Sequence, residues 1–141
     1  MADLKEKIAE VMSSPQVMPL ATVTEEGKPW VRFMVGAAGP DLTVMFATDK
    51  RTRKIQQIEK NNQVHITAGG QNPMDSPGYV QYQGQAHFTQ DEKLRKMLWN
   101  DKLERYWKGP DDENYGVLVV KPQRIEYMSM ESWEPQVWKA E

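Results

Sequence analysis

The sequence predicts a mainly β protein with helices added (β+α), an antiparallel barrel of six or seven short strands with helices packed outside. Three observations carry this. Short strand-like runs dominate the middle of the chain and most are joined by tight turns. One run, 79–88, alternates with period two over ten residues: Val80, Tyr82, Gly84, Ala86 and Phe88 share one face, with Gln81, Gln83 and Gln85 on the other. The regular strand–helix–strand alternation of a doubly wound parallel sheet is absent.

Residues 3–12 predict a short helix. Leu4, Ile8, Val11 and Met12 fall at helical spacing among Lys and Glu, and Ser13-Ser14-Pro15 ends the run. Strands are expected at 17–24 and 29–35, joined by the turn Glu25-Glu26-Gly27-Lys28, in which glycine supplies a positive φ. A second turn over 36–41 leads to a strand at 42–48. Ile55 and Ile58, three apart among polar residues, predict a helix over 52–60. A strand follows at 63–68, and the glycine- and proline-rich stretch 69–78 reads as a loop. After the long alternating strand, Thr89 is the expected N-cap of a helix with Asp91 and Glu92 in its first turn and Leu94, Met97 and Leu98 as its apolar stripe. A second short helix is expected through 103–107. Two closing strands, 115–120 and 124–130, are split by Lys121-Pro122, and the tail carries Trp133 and Trp138.

The 141 residues match one ordinary domain, taken as spanning 1–141, with no internal repeat or low-complexity tract. No cysteine is present, which excludes disulfides, thiolate metal sites and a cysteine nucleophile. Eighteen Lys+Arg against twenty Asp+Glu give a net charge of -2, which argues against a general nucleic-acid binder. The longest apolar runs are a few residues, far short of the roughly 20 of a membrane-spanning helix. The charged N-terminal stretch lacks the apolar region of a signal peptide, so a soluble cytoplasmic protein is the expectation. No nucleophile elbow, zincin helix, Walker loop or G-x-G-x-x-G is present. His65 and His87 sit on separate predicted strands without a nearby carboxylate pattern, so no metal site is expected.

One segment breaks a local rule. In Thr48-Asp49-Lys50-Arg51-Thr52-Arg53-Lys54, four of the last five residues are cationic, and they fall where the third strand passes into a helix. A helix N-terminus already carries positive potential, so each such charge costs about 0.3–1 kcal/mol. A bound phosphate would reverse the sign of each of those costs. It would meet free backbone N–H groups, the Thr48 and Thr52 hydroxyls, and Arg53 and Lys54. The segment reads equally as a solvated basic turn, partly compensated by Asp49 and Glu59. Arg32, inside the apolar strand Pro29-Trp30-Val31-Arg32-Phe33-Met34-Val35, either grips a ligand beside that turn or lies on the solvent face with its stem covering apolar surface. Tyr79, Tyr82, Tyr115, Trp107 and Trp133 are candidates to stack a planar ring, or ordinary core and interface residues.

Taken in order, the hairpin, the strand with Arg32, the strand end Phe46-Ala47-Thr48, the run Thr52-Arg53-Lys54-Ile55-Gln56-Gln57-Ile58 and then Asn62-Gln63-Val64-His65-Ile66 resemble the pyridoxamine 5′-phosphate oxidase-like FMN-binding split barrels. More narrowly, they resemble the general stress protein 26 branch, over roughly residues 5 to 130. The resemblance implies a split β-barrel that binds FMN and works as a homodimer with the cofactor site at the subunit interface. It places the FMN phosphate on Thr52, Arg53 and Lys54. It sets the strand residues Arg32, Phe33, Met34 and Val35 along the flavin, with Ala47 and Thr48 at the aromatic-then-Thr strand end. Tyr79 falls where the family contacts the ring, and Tyr115, before Gly116, where the family's second subunit offers a tryptophan. Arg124-Ile125-Glu126-Tyr127 matches the closing strand. The Arg-x-His segment of true pyridoxamine phosphate oxidases is not found in residues 131–141, so oxidation of vitamin B6 is not expected. The implied activity is that of a flavin-dependent oxidoreductase on a small molecule that the sequence does not name, with no catalytic base assigned. An F420 or haem binder on the same barrel, and a non-catalytic flavin-holding or interaction protein, are the alternatives.

Overall fold

The computed structural model describes residues 3–69 and 78–141, so the expected loop at 69–78 lies almost wholly outside the described residues. Seven strands form one antiparallel sheet: β1 (Gln16–Val23), β2 (Pro29–Ala38), β3 (Val44–Asp49), β4 (Gln63–Ala68), β5 (Gly78–Thr89), β6 (Tyr115–Ser129) and β7 (Gln136–Lys139). Their order is β3-β2-β1-β4-β5-β6-β7, and an additional β3–β6 pairing closes the first six into a barrel. The split comes from β6, a long strand that pairs with β5 along one edge and is shared by two neighbours along the other. Its first half pairs with β3, from Val44↔Val120 to Asp49↔Tyr115, and its second half with the edge strand β7.

Alternation sorts the strand residues as expected. Met18, Leu20 and Thr22 of β1, Val44, Phe46 and Thr48 of β3, and Val80 and Tyr82 of β5 point inward and are buried. Helix α1 (Leu4–Met12) puts Ile8 and Met12 into the same core, and its N-cap Asp3 accepts the Glu6 backbone N–H at 2.8 Å. Helix α2 (Arg53–Lys60) buries Ile55 and Ile58 against that core.

A second apolar layer lies outside the barrel wall. There helix α3 (Glu92–Leu98) and a 3-10 turn (Asp101–Arg105) cover Tyr115, Trp99 and Trp107. Gly116 is required beside it: a Cβ there would come within 2.3 Å of the Phe88 ring.

The structure corrects several sequence expectations. The two closing strands are one, because Pro122 sits at a register shift, where Gln83 pairs with Arg124 and Gly84 with Pro122, leaving Gln123 as the extra residue. β2 runs on through Ala38. Leu42 lies in the β2–β3 turn at φ 67 instead of opening β3. Asp91 replaces Thr89 as the α3 N-cap, its carboxylate accepting the Leu94 N–H at 3.0 Å. The expected second short helix is the 3-10 turn, and β7 was not anticipated. No helix among the described residues is long and apolar enough to cross a membrane.

Candidate anion-binding site

The site starts where β3 ends. Asp49 ties the turn that follows. Its carboxylate accepts the Arg51 backbone N–H and Nε, both at 2.9 Å, the Arg51 Nη2 at 2.8 Å and the Trp107 Nε1 at 3.0 Å. These donors hold its pKa far below the usual carboxylate range, Arg51 contributing most. The Asp49 carbonyl accepts both the Thr52 N–H, at 3.2 Å, and the Thr52 hydroxyl, at 2.9 Å. Thr52 has the backbone of an N-cap, but its hydroxyl, turned back to Asp49, makes no capping bond, so the first turn of α2 stays open.

Cations converge on that open turn. Lys54 is 9% exposed, and its Nζ donates to Thr52 Oγ1 at 3.1 Å. Burial first, and Arg32 second, push its pKa down to about 8 against the opposing pull of Asp49. Arg32 arrives from β2. Its Nη1 donates to Thr22 Oγ1 at 2.7 Å, to the Trp30 carbonyl at 3.1 Å and to the Leu20 carbonyl at 3.3 Å, and its Nη2 to Gln57 Oε1 at 3.2 Å. Burial and the neighbouring Arg53 push its pKa down as well. The Arg53 guanidinium lies over the Trp30 ring, 5.9 Å from its centroid.

No carboxylate among the described residues forms an ion pair with this group. Among the described residues the salt bridges are Arg51–Asp49, Lys60–Glu25, Lys96–Glu92 and Arg124–Glu126, and Arg32, Arg53 and Lys54 join none of them. The compensation expected from Asp49 goes to Arg51, and Glu59 forms no ion pair. Three like charges around an open helix N-terminus, Arg32 and Lys54 held on neutral oxygens and Arg53 over an indole ring, make a cradle for an anion with more than one negative charge.

Of the residues singled out from sequence, the structure gathers Arg32, Thr52, Arg53 and Lys54 here, with Thr48 buried at the strand end just before the turn. It divides the β2 residues. Arg32 and Met34 face the barrel side, whereas Phe33 and Val35 are 80% and 63% exposed on the opposite face, so one ligand meets side chains of only one pair. Ala47 lies on the opposite face of β3 from Thr48. Tyr79 is on β5, three strands from β2 in the sheet order.

Tyr115 is not an offered aromatic. It is fully buried, its hydroxyl donates to the Arg95 carbonyl at 2.8 Å, and its ring packs on Trp107 and Trp99 at centroid distances of 4.9 and 5.4 Å. Trp107 is likewise spent on the turn, and Tyr82 is a core residue whose hydroxyl lies 2.7 Å from the Leu42 carbonyl. Sequence reasoning missed Thr22 and Trp30 as parts of the site, expected Trp107 to stack a ring and Asp49 to compensate the basic run where the two instead tie the turn together, and gave Gln57 no role beyond its place in the motif. The available signals were a threonine at an inward position of β1 and a glutamine one turn after the basic pair.

The cradle lies within a match that decides the family. The sequence pattern described as Pyridoxamine 5'-phosphate oxidase matches residues 4–129. The chain belongs to the pyridoxamine 5′-phosphate oxidase family. Within this family it is 35% identical over 127 residues to General stress protein 26 of Bacillus subtilis (strain 168), covering 90% of this chain and 89% of that one. The crystal structure of General Stress Protein 26 from Bacillus anthracis str. Sterne superposes with a TM-score of 0.83 at 31% identity, covering 97% and 98% of the two chains. These relatives place it in the general stress protein 26 branch of the pyridoxamine 5′-phosphate oxidase family. At lower identity the likeness is of fold alone. It reaches a pyridoxamine 5'-phosphate oxidase-related, FMN binding protein from Nostoc punctiforme PCC 73102 (TM-score 0.67, 16% identity, 95% and 82% covered). It also reaches an F420 Reductase (TM-score 0.66, 21% identity, 89% and 98% covered).

Proposed function

We propose that this protein binds FMN, holds the phosphate on Arg32, Thr52, Arg53 and Lys54, and serves flavin-dependent redox chemistry on a small molecule. The observation that carries this reading is the set of three cations around the open first turn of α2 that have no ion-pair partner among the described residues. A resident dianion supplies the missing charge, and a phosphate monoester fits both the helix terminus and the guanidinium forks. FMN, when bound, supplies the redox-active ring. The cradle side chains Arg32, Thr52, Arg53 and Lys54 supply position and electrostatics, and the one carboxylate of the turn, Asp49, is held by Arg51 and Trp107. A cradle that reads a phosphate does not read a ring, and F420 carries a phosphate too, so F420 is the second reading. The visible spectrum of freshly purified protein, with the released chromophore weighed by mass spectrometry, tests both. A flavin spectrum and the mass of FMN are expected. A deazaflavin or haem spectrum, or a colourless protein that takes up no added FMN, overturns the reading. Turnover with NAD(P)H and an electron acceptor separates an enzyme from a flavin holder.

The same reading includes a homodimer. The outward face of β1 and β2 carries Val31, Phe33 and Val35, three exposed apolar side chains in a row. The register places them beside Ala21, Pro19 and Val17. A contiguous apolar sheet face of this kind is a subunit interface in waiting.

The buried ammonium gives a pH signature. With Lys54 at about 8 in the free protein, a bound phosphate dianion stabilises its charged form, so binding takes up a proton at alkaline pH. FMN affinity is expected to be level between pH 7 and about 8 and to fall above it by up to roughly tenfold per pH unit. Lys54→Arg should abolish the fall, because a guanidinium stays charged throughout. The free protein responds with the opposite sign. Its folded Lys54 pKa lies below the model-peptide value of 10.5, so the unfolded chain binds more protons between about 8 and 10.5. The Lys54 contribution to stability therefore rises across that window. Dissociation constants measured from pH 7 to 10 on both proteins check this, and parallel curves would refute it.

A further inference from the structure

Gln57 stands one turn after Arg53 and Lys54 on α2, on the same side of the helix. Its Oε1 accepts two hydrogen bonds, from the Thr22 hydroxyl at 2.6 Å and from Arg32 Nη2 at 3.2 Å. The Thr22 hydroxyl in turn accepts from Arg32 Nη1 at 2.7 Å. The direction of every bond is fixed by chemistry. A guanidinium only donates, so the atom of Gln57 that faces it is the oxygen, and the Thr22 proton must point to that oxygen too. Thr22 is 1% exposed, so this small network lies at the floor of the cradle, where a misplaced charge is costly.

The partners of Arg32 are the unusual feature. A partly buried arginine ordinarily pairs with a carboxylate, and a glutamate at position 57 would reach the same two donors with the same side-chain length. The chain places an amide there. Every acceptor that Arg32 uses, two backbone carbonyls, a hydroxyl and an amide oxygen, is neutral.

We propose that Gln57, with Thr22, is a positioning residue that fixes the Arg32 guanidinium without neutralising it, and that its amide makes the cradle selective for a ligand with a dianionic end. This rests on the reading that the cradle holds a phosphate. Gln57 touches no ligand in this role. It locks the guanidinium fork before the ligand arrives, so that ordering is not charged against binding, and it leaves the full positive charge to the ligand.

The test compares FMN, riboflavin and inorganic phosphate on wild type and Gln57→Glu, with the thermal midpoint of each free protein. A purely structural residue moves stability and affinity in the same direction, whereas the proposal requires them to part. In Gln57→Glu the free protein should melt at or above the wild-type temperature, because the Thr22 bond becomes charge-assisted and the Arg32 bond becomes an ion pair. Its FMN dissociation constant should rise roughly 10–100-fold. Riboflavin should change by about twofold or less, since no charge-assisted bond to it is lost, and competition by inorganic phosphate should disappear. FMN affinity unchanged in Gln57→Glu, or both flavins weakened by the same factor, overturns the proposal.

Thr22→Val provides a second route should the glutamate variant fail to fold. It removes the bridging hydroxyl and should weaken FMN several-fold while sparing riboflavin, with recovery in Thr22→Ser; no recovery in the serine variant counts against the network. Failure of the phosphate reading itself shows first in wild type, as equal affinity for FMN and riboflavin, and would remove the proposal with it.

Discussion

Removing both cations from the first turn of α2, as Arg53→Ala with Lys54→Ala, is expected to raise the FMN dissociation constant by roughly 100- to 1,000-fold or more. Each charge-assisted hydrogen bond to a phosphate contributes about 1.5–3 kcal/mol, and two are lost. Riboflavin, without the phosphate, should lose far less. The free protein should keep its fold, for two reasons. Both cations oppose the helix dipole, and the Lys54 ammonium is held in a buried place that already lowers its pKa. Lys54 is, however, a buried residue of α2 like Ile55 and Ile58, so Lys54→Met with Arg53→Ala is the better control for packing. Fluorescence titration of both flavins into wild type and the two double variants measures the difference. An equal loss for FMN and riboflavin, or no loss for FMN, would reduce the segment to a solvated basic turn.

The cationic turn was legible because it breaks a local rule, and local rules are what a sequence displays. Arg53 and Lys54 stand against the dipole of their own helix, within the span of one turn. The barrel was legible for a similar reason: period-two alternation on β5 and a glycine at φ 78 in the β1–β2 turn are both short-range signals. What the sequence hid is long-range. Thr22 and Gln57 are 35 residues apart and meet only once β1 and α2 are packed, so neither reads as a partner of Arg32. The resemblance led to the expectation that Tyr115 is an aromatic offered to the site, yet its ring belongs to the covered layer under α3, because Trp99 and Trp107 come over it from another segment. Pro122 read as a strand break because proline lacks a ladder donor. It is tolerated within β6 because the bulge at Gln123 removes the need for one.

The arginine strand shows how one element serves two purposes. Alternation gives β2 a barrel-side face with Trp30, Arg32 and Met34 and an outer face with Val31, Phe33 and Val35. The first is the wall of the cradle, and the second is the surface assigned above to a second copy of the chain. Phe33 is the most exposed of the three and therefore has the most area to bury. Covering a phenylalanine contributes about 1.5–3 kcal/mol, and in a two-fold dimer each residue counts twice. Phe33→Asp is then expected to raise the dimer dissociation constant by about 100- to 10,000-fold, with two like charges brought together as a further penalty. The barrel should remain folded, since the change falls on a solvent-facing position outside the core cluster. Light scattering with sedimentation over a range of concentrations measures this, and FMN titration of the same samples shows whether the ring side of the site depends on the partner. Wild type is expected to be a dimer at micromolar concentration, Phe33→Asp a monomer, and the monomer to bind FMN less tightly at an intact phosphate cradle. A wild-type monomer, or a variant that dimerises as before, would mean that the apolar face of β2 is not where two copies meet.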